Sequence, residues 1–229
     1  MNLLAIETAT EACSVALLHG GNLIDRSELA PRRHAELVLP MAEELLAEAG
    51  IARSQLDAIA VGRGPGAFTG VRLAISVAQG LALALDLPVV PVSSLAALAV
   101  QAPRNGAAIV AAIDARREEI YAGTFQSNPD GLVEPLGLEH VLPASDLILP
   151  QADAWNVLGT GWGAYGDAIR ERLPSPPRWA DGHRYPQACD VARLAAPLFA
   201  AGKGVLPEQA LPVYLRDKVA FTLKEQHGD

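Results

Sequence analysis

The spacing of apolar and polar residues near the start of the chain predicts three consecutive strands. Strand-like runs cover residues 3–6, 13–18 and 22–29, and each is too short for a helix of ordinary length. Gly20 and Gly21 separate the second run from the third, and two glycines supply the positive φ angles of a tight hairpin turn. We therefore expect an antiparallel meander.

A helical pattern follows the third run. Apolar residues recur every four positions from Leu37 to Ala49, and Gly50 then provides the residue that commonly ends a helix. Pro40 lies inside this pattern, and proline removes a helical hydrogen bond. We therefore expect either a kink or a helix whose regular part begins near Pro40.

The rest of the first half alternates strands with a helix. We predict a strand near residues 57–61, a glycine-rich loop from Gly62, a helix to about Leu85 and a strand over residues 88–92. The predicted order of elements is βββαβαβ.

The second half of the sequence repeats the first. Residues 111–114 (AAID) resemble residues 4–7 (LAIE), and both are strands that end on a carboxylate. The loop GRGPGAF at residues 62–68 recurs as GTGWGAY at residues 159–165, each time after a predicted strand and before a predicted helix. Matched register and matched element order favour a duplication over a chance likeness of two glycine-rich loops.

Two tandem βββαβα units are the plan of the actin, Hsp70 and sugar-kinase (ASKHA) fold, an α/β fold with two lobes. We place the N-terminal lobe at residues 1–102 and the C-terminal lobe at residues 103–229, with the chain after about residue 211 packing back on the first lobe. The proline-rich residues 173–186 are predicted to be a surface loop, and residues 188–201 a helix. This fold hosts many activities, so the assignment leaves function open.

The glycine-rich loop has two interpretations. A phosphate-binding P-loop would end in Gly-Lys-Ser/Thr, but here Gly66 is followed by Ala67, Phe68 and Thr69. No parallel βαβ unit with a downstream acid surrounds the loop, as a dinucleotide site would require. The sequence favours a structural role, in which glycine permits a sharp turn and close packing of a helix on a sheet, and phosphate binding remains the alternative.

In this fold ATP binds between the lobes, where two hairpin turns contact the phosphates through backbone N–H groups. The first turn, Glu7–Glu11, has Ala9 where close approach calls for glycine, and we expect Ala9 at a strained positive φ. The second turn, Asp114–Glu119, contains no glycine at all. Both turns are therefore predicted to be poor phosphate sites, although Arg116 and Arg117 leave weak nucleotide binding open.

The helix after the glycine-rich loop has an apolar inner face and a mixed outer face. The outer face combines cationic, polar and aliphatic side chains, namely Arg72, Ile75, Ser76, Gln79 and Leu83. Such a mixture is typical of a protein interface. Packing of this face on the helix at residues 37–49 is an equally good interpretation.

Composition and charge exclude several classes of protein. The 229-residue chain is 50% hydrophobic and carries a formal net charge of -8, which disfavours direct binding of RNA, DNA or an anionic membrane. The N-terminus lacks a basic signal-peptide region, and the longest apolar tract, Leu73–Leu85, is too short to span a bilayer. Cys13 and Cys189 form no CxxC pair. We expect a cytoplasmic protein with reduced thiols and no membrane contact.

No catalytic or metal-binding pattern is found among the polar residues. The five histidines form no HxxxH, HxH or HExxH pair, and there is no Gly-x-Ser-x-Gly elbow of a serine hydrolase. We therefore predict no catalytic residue, no metal and no cofactor.

Several motifs nevertheless resemble one family closely. They are LLAIETATEACSVAL, RRHAELVLPMAEELLAEAG, LDAIAVGRGPGAFTGVRLAISVAQGLALAL, PVVPVSSLAALA and PVYLRDKVA, which together span Leu3 to Ala220. The chain resembles the bacterial TsaB (YeaZ) family on these motifs, and GPGAFTGVRL is the most specific of them. TsaB is the inactive relative of TsaD, which transfers a threonylcarbamoyl group to the adenosine next to the tRNA anticodon.

The resemblance implies a non-catalytic subunit that binds and activates TsaD, recruits the ATPase TsaE, forms homodimers when alone and meets tRNA only through the complex. TsaD-like proteins carry a helical HxxxH metal site, whereas this chain keeps His34 and has Val38 in the second place. The family's partner surface is formed by its first two helices. It maps here to Leu37, Val38, Met41, Leu45, Arg72, Ile75, Ser76 and Gln79.

Two rival functions remain at this point. The first is an ATP-dependent kinase or phosphotransferase of the same fold, which predicts tight binding and turnover of Mg-ATP. The second is direct RNA binding, which predicts a salt-sensitive tRNA complex without any partner and disagrees with the acidic composition.

Overall fold

Two sheets with the same strand order organise residues 1–216, the part of the chain that the computed structural model describes. The first half forms β1 (Asn2–Glu7), β2 (Ala12–His19), β3 (Asn22–Leu29), α1 (His34–Ala49), β4 (Ala58–Gly62), α2 (Phe68–Leu85), β5 (Val89–Val92) and α3 (Ser94–Ala99). The second half forms β6 (Ala108–Arg116), β7 (Glu119–Ser127), β8 (Val133–Pro135), β9 (His140–Pro143), β10 (Trp155–Leu158), α4 (Thr160–Arg172), β11 (Trp179–Asp181) and α5 (Ala188–Ala200). Residues 217–229 lie outside the described part. They include the end of the predicted C-terminal lobe and the end of the PVYLRDKVA motif.

The strand order confirms the predicted duplication. The first sheet runs β3-β2-β1-β4-β5, and the second runs β8-β7-β6-β10-β11 with β9 paired beside β7. Position for position, the two orders are the same. The first two strands of each half are antiparallel, whereas β1 pairs in parallel with β4 and β6 pairs in parallel with β10. The predicted hairpin turn is also present, since Gly20 and Gly21 both have positive φ.

The halves exchange one helix each. Helices α1 and α2 cover one face of the first sheet, and α5, from the second half, covers the other. Helix α3, from the first half, packs on β6 and β7 of the second sheet, while α4 covers that sheet's opposite face. Each fully buried leucine of α3, such as Leu95 or Leu98, contributes roughly 1.5–3 kcal/mol through burial alone. The exchange makes the two sheets parts of one structure.

Four sequence-based predictions need correction. Helix α1 begins at His34, six residues before Pro40, because the His34 ring donates a hydrogen bond to the Thr10 carbonyl (2.9 Å) and anchors the first turn. The second half has no counterpart of α1, since β9 and a 3₁₀ turn occupy that place. Helix α3 was not predicted, although Ser93 caps it by accepting a hydrogen bond from the Ala96 N–H.

The fourth correction concerns the proline-rich stretch. Strand β11 lies inside the predicted loop at residues 173–186 and pairs in parallel with β10. It is an edge strand of three residues, so its sequence carries almost no periodicity that could identify it.

The glycine loops of the two halves differ in conformation. In the first half five residues separate β4 from α2, whereas in the second half α4 begins at Thr160 and includes Gly161 and Gly163. Helix α4 is kinked at Tyr165 (φ -132°, ψ 32°), the residue that aligns with Phe68 at the start of α2. The regular helix therefore starts at the equivalent residue in both halves, but the preceding glycine-rich segment has a different backbone conformation.

Candidate functional site

The β1–β2 turn, where a phosphate would be bound, is closed by packing. Both oxygens of the buried Glu7 carboxylate have partners, since Oε1 accepts from the Ala9 N–H (2.7 Å) and Oε2 accepts from the Ser94 hydroxyl (2.7 Å). Burial raises the pKa of Glu7 above its usual value, and the two hydrogen bonds oppose that rise. Glu7 is thus a satisfied interior acid, and none of its surface is exposed to a ligand.

The glycine-rich loop forms the cover of this turn. The Ala67 N–H donates to the Ala9 carbonyl (2.7 Å), and the Thr8 hydroxyl donates to the Gly70 carbonyl (2.7 Å). A Cβ at Gly66 would lie 2.3 Å from the Ala9 oxygen, and one at Gly70 would lie 2.0 Å from the Thr8 oxygen. Glycine is needed here because two backbones meet, which favours the structural interpretation of the loop.

The strain expected at the first turn is found at the second. Ala9 does not have a positive φ, contrary to the prediction, because the close approach is accommodated by glycines across from it. In the β6–β7 turn, by contrast, Arg116, Arg117 and Glu118 all have φ near +60°. L-residues in this region cost on the order of 1 kcal/mol each.

An ion pair joins the two turns across the mouth of the cleft. The Arg116 guanidinium lies 2.8 Å from Glu11 of the first turn and 3.1 Å from Asp114 of its own turn. Behind it is a cavity of about 320 Å³, lined by both turns, by the N-terminus of α2 and by residues 213–216. Two of the arginines that line the cavity are paired with carboxylates, Arg116 as described above and Arg216 with Glu119. These ion pairs reduce the positive charge that the cleft could offer to a triphosphate.

The predicted loss of a metal pair can be traced to two positions on α1. The His34 ring is engaged with the Thr10 carbonyl, and Val38, in the second place of the HxxxH pattern, is buried in the core of the first half. Within residues 1–216 no three His, Cys, Asp or Glu side chains are grouped so that they could hold a metal ion.

The two cysteines have the character of interior thiols. Cys13 is buried and Cys189 is half-buried, and both are free. Burial raises the pKa of each thiol to about 11, so both are protonated near neutral pH.

Half of the predicted partner residues do not face outward. Val38, Met41, Leu45 and Ile75 belong to the hydrophobic core between α1, α2 and the first sheet, and Leu37 is half-buried beside them. Their apolar spacing marks the inner face of each helix, and a partner could contact them only if the helices moved. These four side chains are buried in this conformation, and their place in a partner surface stays a prediction.

The remaining predicted residues lie on the outer face of α2, and two of them contact the end of the described chain. The Gln79 side chain donates to the Ala210 carbonyl (3.1 Å). The Arg72 guanidinium lies 3.5 Å from the centre of the Phe68 ring and donates to the Tyr214 hydroxyl (2.6 Å). The sequence offered two interpretations of this face, packing on α1 or an open protein interface. Neither is complete, because residues 210–214 cover part of the face.

The described part of the chain leaves a strip of α2 uncovered. Ser76, Gly80 and Ala84 are spaced by four residues and exposed, and the neighbouring Leu83 side chain is 65% exposed. A Cβ added at Gly80 would meet no atom of the described residues 1–216 within 4 Å. We call Ser76, Gly80, Leu83 and Ala84 the α2 strip.

Helix α2 as a whole is long and apolar enough to cross a membrane by length and composition, which the shorter tract Leu73–Leu85 did not suggest. One such helix is weak support for a membrane span. Here Val71, Ala74, Ala78 and Ala82 are buried against the first sheet, as in a core helix of a globular domain.

Comparisons with known proteins agree with the resemblance. The family model described as "TsaD: tRNA N6-adenosine threonylcarbamoyltransferase" matches residues 26–147. The "tRNA threonylcarbamoyladenosine biosynthesis protein TsaB" of Escherichia coli strain K12 is 43% identical over 227 residues, covering 96% of this chain and 97% of the relative. The protein of the same name from Haemophilus influenzae is 38% identical over 96% of both chains.

Solved structures agree with these relatives. The structure titled "YeaZ from Pseudomonas aeruginosa" has a TM-score of 0.86 and 51% sequence identity, and it matches 93% of this chain and 99% of its own. Identity at this level over nearly the full length supports family membership as well as fold. The chain belongs to the TsaB (YeaZ) family of tRNA threonylcarbamoyladenosine biosynthesis proteins.

Proposed function

We propose that this chain is a non-catalytic subunit that binds and activates TsaD for transfer of a threonylcarbamoyl group to tRNA. Its relatives are named for this biosynthesis, and the transferase model matches about half of its length. The chain would act through its outer surface, because the turns that hold phosphate in this fold are packed or paired here.

The observation that carries the proposal is Gly80. Glycine in the interior of a helix costs roughly 1 kcal/mol relative to alanine. Most other glycines without a close neighbour have a positive φ, but Gly80 has neither a positive φ nor a neighbour within 4 Å. Among residues 1–216 no contact benefits from the missing side chain, whereas it would let a partner helix approach the α2 strip closely.

The composition of α2 agrees with a protein partner. Arg72 is its one charged residue, and its apolar exposed side chains include Phe68 and Leu83. On α1 the apolar Leu39 side chain is also 46% exposed. Apolar exposure with few charges is what the centre of a protein interface requires.

The test is complex formation with TsaD. The purified chain mixed with TsaD should elute as one complex on a sizing column, and Gly80→Arg should abolish that complex. Gly80→Ala should weaken the complex, because the added methyl group would contact only the partner. It should also make the isolated chain more stable, because alanine favours a helix more than glycine does. Ala200→Arg, at an exposed helical position on α5, is the matched control and should leave the complex unchanged.

Activation needs a second measurement. Threonylcarbamoyl transfer to tRNA should be measured with TsaD, TsaE and the carbamoyl-adenylate donor, with and without this chain. We expect transfer to depend on the chain and to fall with Gly80→Arg in proportion to the lost complex. A Gly80→Arg variant that binds and activates TsaD as the native chain does would contradict the proposed surface.

The further parts of the proposal follow from the same surface. We propose that the α2 strip pairs two copies when TsaD is absent, that TsaE joins the complex, and that tRNA is contacted through TsaD in the cytoplasm. The kinase alternative is tested by calorimetry with Mg-ATP. Tight binding with turnover by the chain alone would favour the kinase and contradict the assignment as a non-catalytic subunit.

A further inference from the structure

The last described residues connect the two halves of the molecule. After an antiparallel bridge between Val205 and Val89, the chain turns through a 3₁₀ segment at Pro207–Gln209 and runs beside α2 to Arg216. We call Ala210–Arg216 the C-terminal strap. It borders the cavity between the two hairpin turns, and it has no regular secondary structure.

The strap is held on the first half by three kinds of contact. Ala210 is fully buried in the core and accepts a hydrogen bond from Gln79. The Val213 N–H donates to the Arg63 carbonyl (2.9 Å). The Tyr214 ring lies 5.7 Å from the Phe68 ring, and the Arg72 guanidinium lies close to both rings.

The end of the strap is held on the second half. The Arg216 guanidinium donates to the Ala115 carbonyl (3.1 Å) and pairs with the Glu119 carboxylate. Both acceptors flank the β6–β7 turn, whose Arg116 reaches the first half through Glu11. The mouth of the cleft is thus crossed twice, once by an exposed ion pair and once by a stretch of backbone.

We propose that the C-terminal strap is an interlobe clamp that holds the cleft closed. The Arg116–Glu11 pair has side chains that are 74% and 41% exposed, so it contributes little by itself. The strap combines buried apolar contact, backbone hydrogen bonds and a cation–π stack, and Arg216 is mostly covered. Loss of either end of the strap frees the two turns to separate. This proposal does not depend on the identity of the partner.

The test measures amide hydrogen exchange on the full chain. It determines whether a substitution that removes contacts to one half changes the exchange rates in the other half. Tyr214→Ala removes a contact made only to the first half, and it should speed exchange of the amides at residues 114–119 of the second half about tenfold. Arg216→Gln removes contacts made only to the second half, and it should speed exchange at residues 63–72 of the first half by a similar factor.

Two variants serve as controls. Arg53→Gln breaks the exposed Arg53–Glu43 pair, which joins neither hairpin turn nor the strap, and should change neither segment. Tyr214→Phe keeps the ring but loses the hydroxyl that accepts from Arg72, so it should give a smaller change in the same segments. It also keeps the test decisive if Tyr214→Ala does not fold. The clamp is overturned if each variant changes exchange only in the half that it contacts, or in neither half.

Discussion

The β1–β2 turn and the β6–β7 turn occupy equivalent places in the two sheets and have opposite physical character. The first is buried, unstrained and covered by the glycine-rich loop. The second is exposed, has three consecutive residues at positive φ, and is held by ion pairs. The two turns keep the same position in their sheets. The glycine-rich loop covers the backbone of the first turn, and ion pairs hold the second.

This difference shows two independent ways in which the phosphate turns of this fold can be closed. A phosphate turn needs free N–H groups and room for backbone to approach the ligand. In the first turn the loop at Gly66 fills the space that a ligand would need, and the Arg116 side chain crosses the second turn. The predictions below test each route.

The largest effect is expected at the glycines that cover the first turn. Gly70→Ala should lower the free energy of unfolding by about 3 kcal/mol or more, because its Cβ would lie 2.0 Å from the Thr8 carbonyl oxygen. Gly80→Ala, in the same helix, is the matched control and should raise it by up to about 1 kcal/mol, since its Cβ meets no atom. Urea denaturation of both variants measures the difference. Equal effects at the two positions would show that the turn is not closely packed.

The buried acid of the first turn should behave as a structural group. Glu7→Ala should cost about 2–3 kcal/mol, because it leaves a cavity and two donors, the Ser94 hydroxyl and the Ala9 N–H, without acceptors. Glu7→Gln keeps an acceptor and a similar volume, so it should cost less than about 1 kcal/mol. Denaturation near neutral pH compares the two. A Glu7→Gln variant that keeps its stability but loses activity in the TsaD assay would instead show that the charge matters to function.

The buried acid of the second half allows a pH test. Burial raises the pKa of Asp190 to about 6, against the opposing effects of Arg193 and Gln101, with Asp25 adding to the rise. Since the native pKa lies above the unfolded value, the stabilising contribution is complete at low pH and is lost as the pH rises through about 6.

We therefore expect Asp190 to contribute about 1 kcal/mol less to stability at about pH 7.5 than at about pH 5. The measurement is the difference in unfolding free energy between the native chain and Asp190→Asn at the two pH values. A difference that does not change with pH would mean that the carboxyl is solvated or fully paired with Arg193.

Periodicity predicted the elements whose side chains alternate or recur regularly, and it failed where tertiary contacts decide. The meander was identified from its short apolar runs and the Gly20–Gly21 turn between two of them, and α2 and α5 were identified from their longer helical patterns. Strand β11 could not be identified, since a short edge strand has too few residues to show a periodic pattern. The sequence also did not show that the second half lacks a helix equivalent to α1.

The site shows the same limit. The sequence indicated that Gly66 serves packing, because the lysine of a P-loop is missing, but the contact with Ala9 joins residues far apart in the chain. The family resemblance placed Val38, Met41, Leu45 and Ile75 on the partner surface, although their apolar spacing marks the inner face of a helix. The cover that residues 210–214 form on α2 has no local signal at all, since only the fold brings Tyr214 to Arg72.

The smallest effect is expected at the strained second turn. Glu118 is exposed at φ +62°, and glycine adopts this conformation without the cost of about 1 kcal/mol that an L-side chain incurs. Glycine also makes the unfolded chain more flexible, which cancels part of the gain. We therefore expect Glu118→Gly to raise the free energy of unfolding by about 0.5 kcal/mol, while Glu118→Gln, which removes only the charge, should change it by less than about 0.3 kcal/mol. Thermal denaturation of the three proteins side by side measures this. A loss of stability in Glu118→Gly would show that the side chain, and not the backbone conformation, determines the energy of this turn.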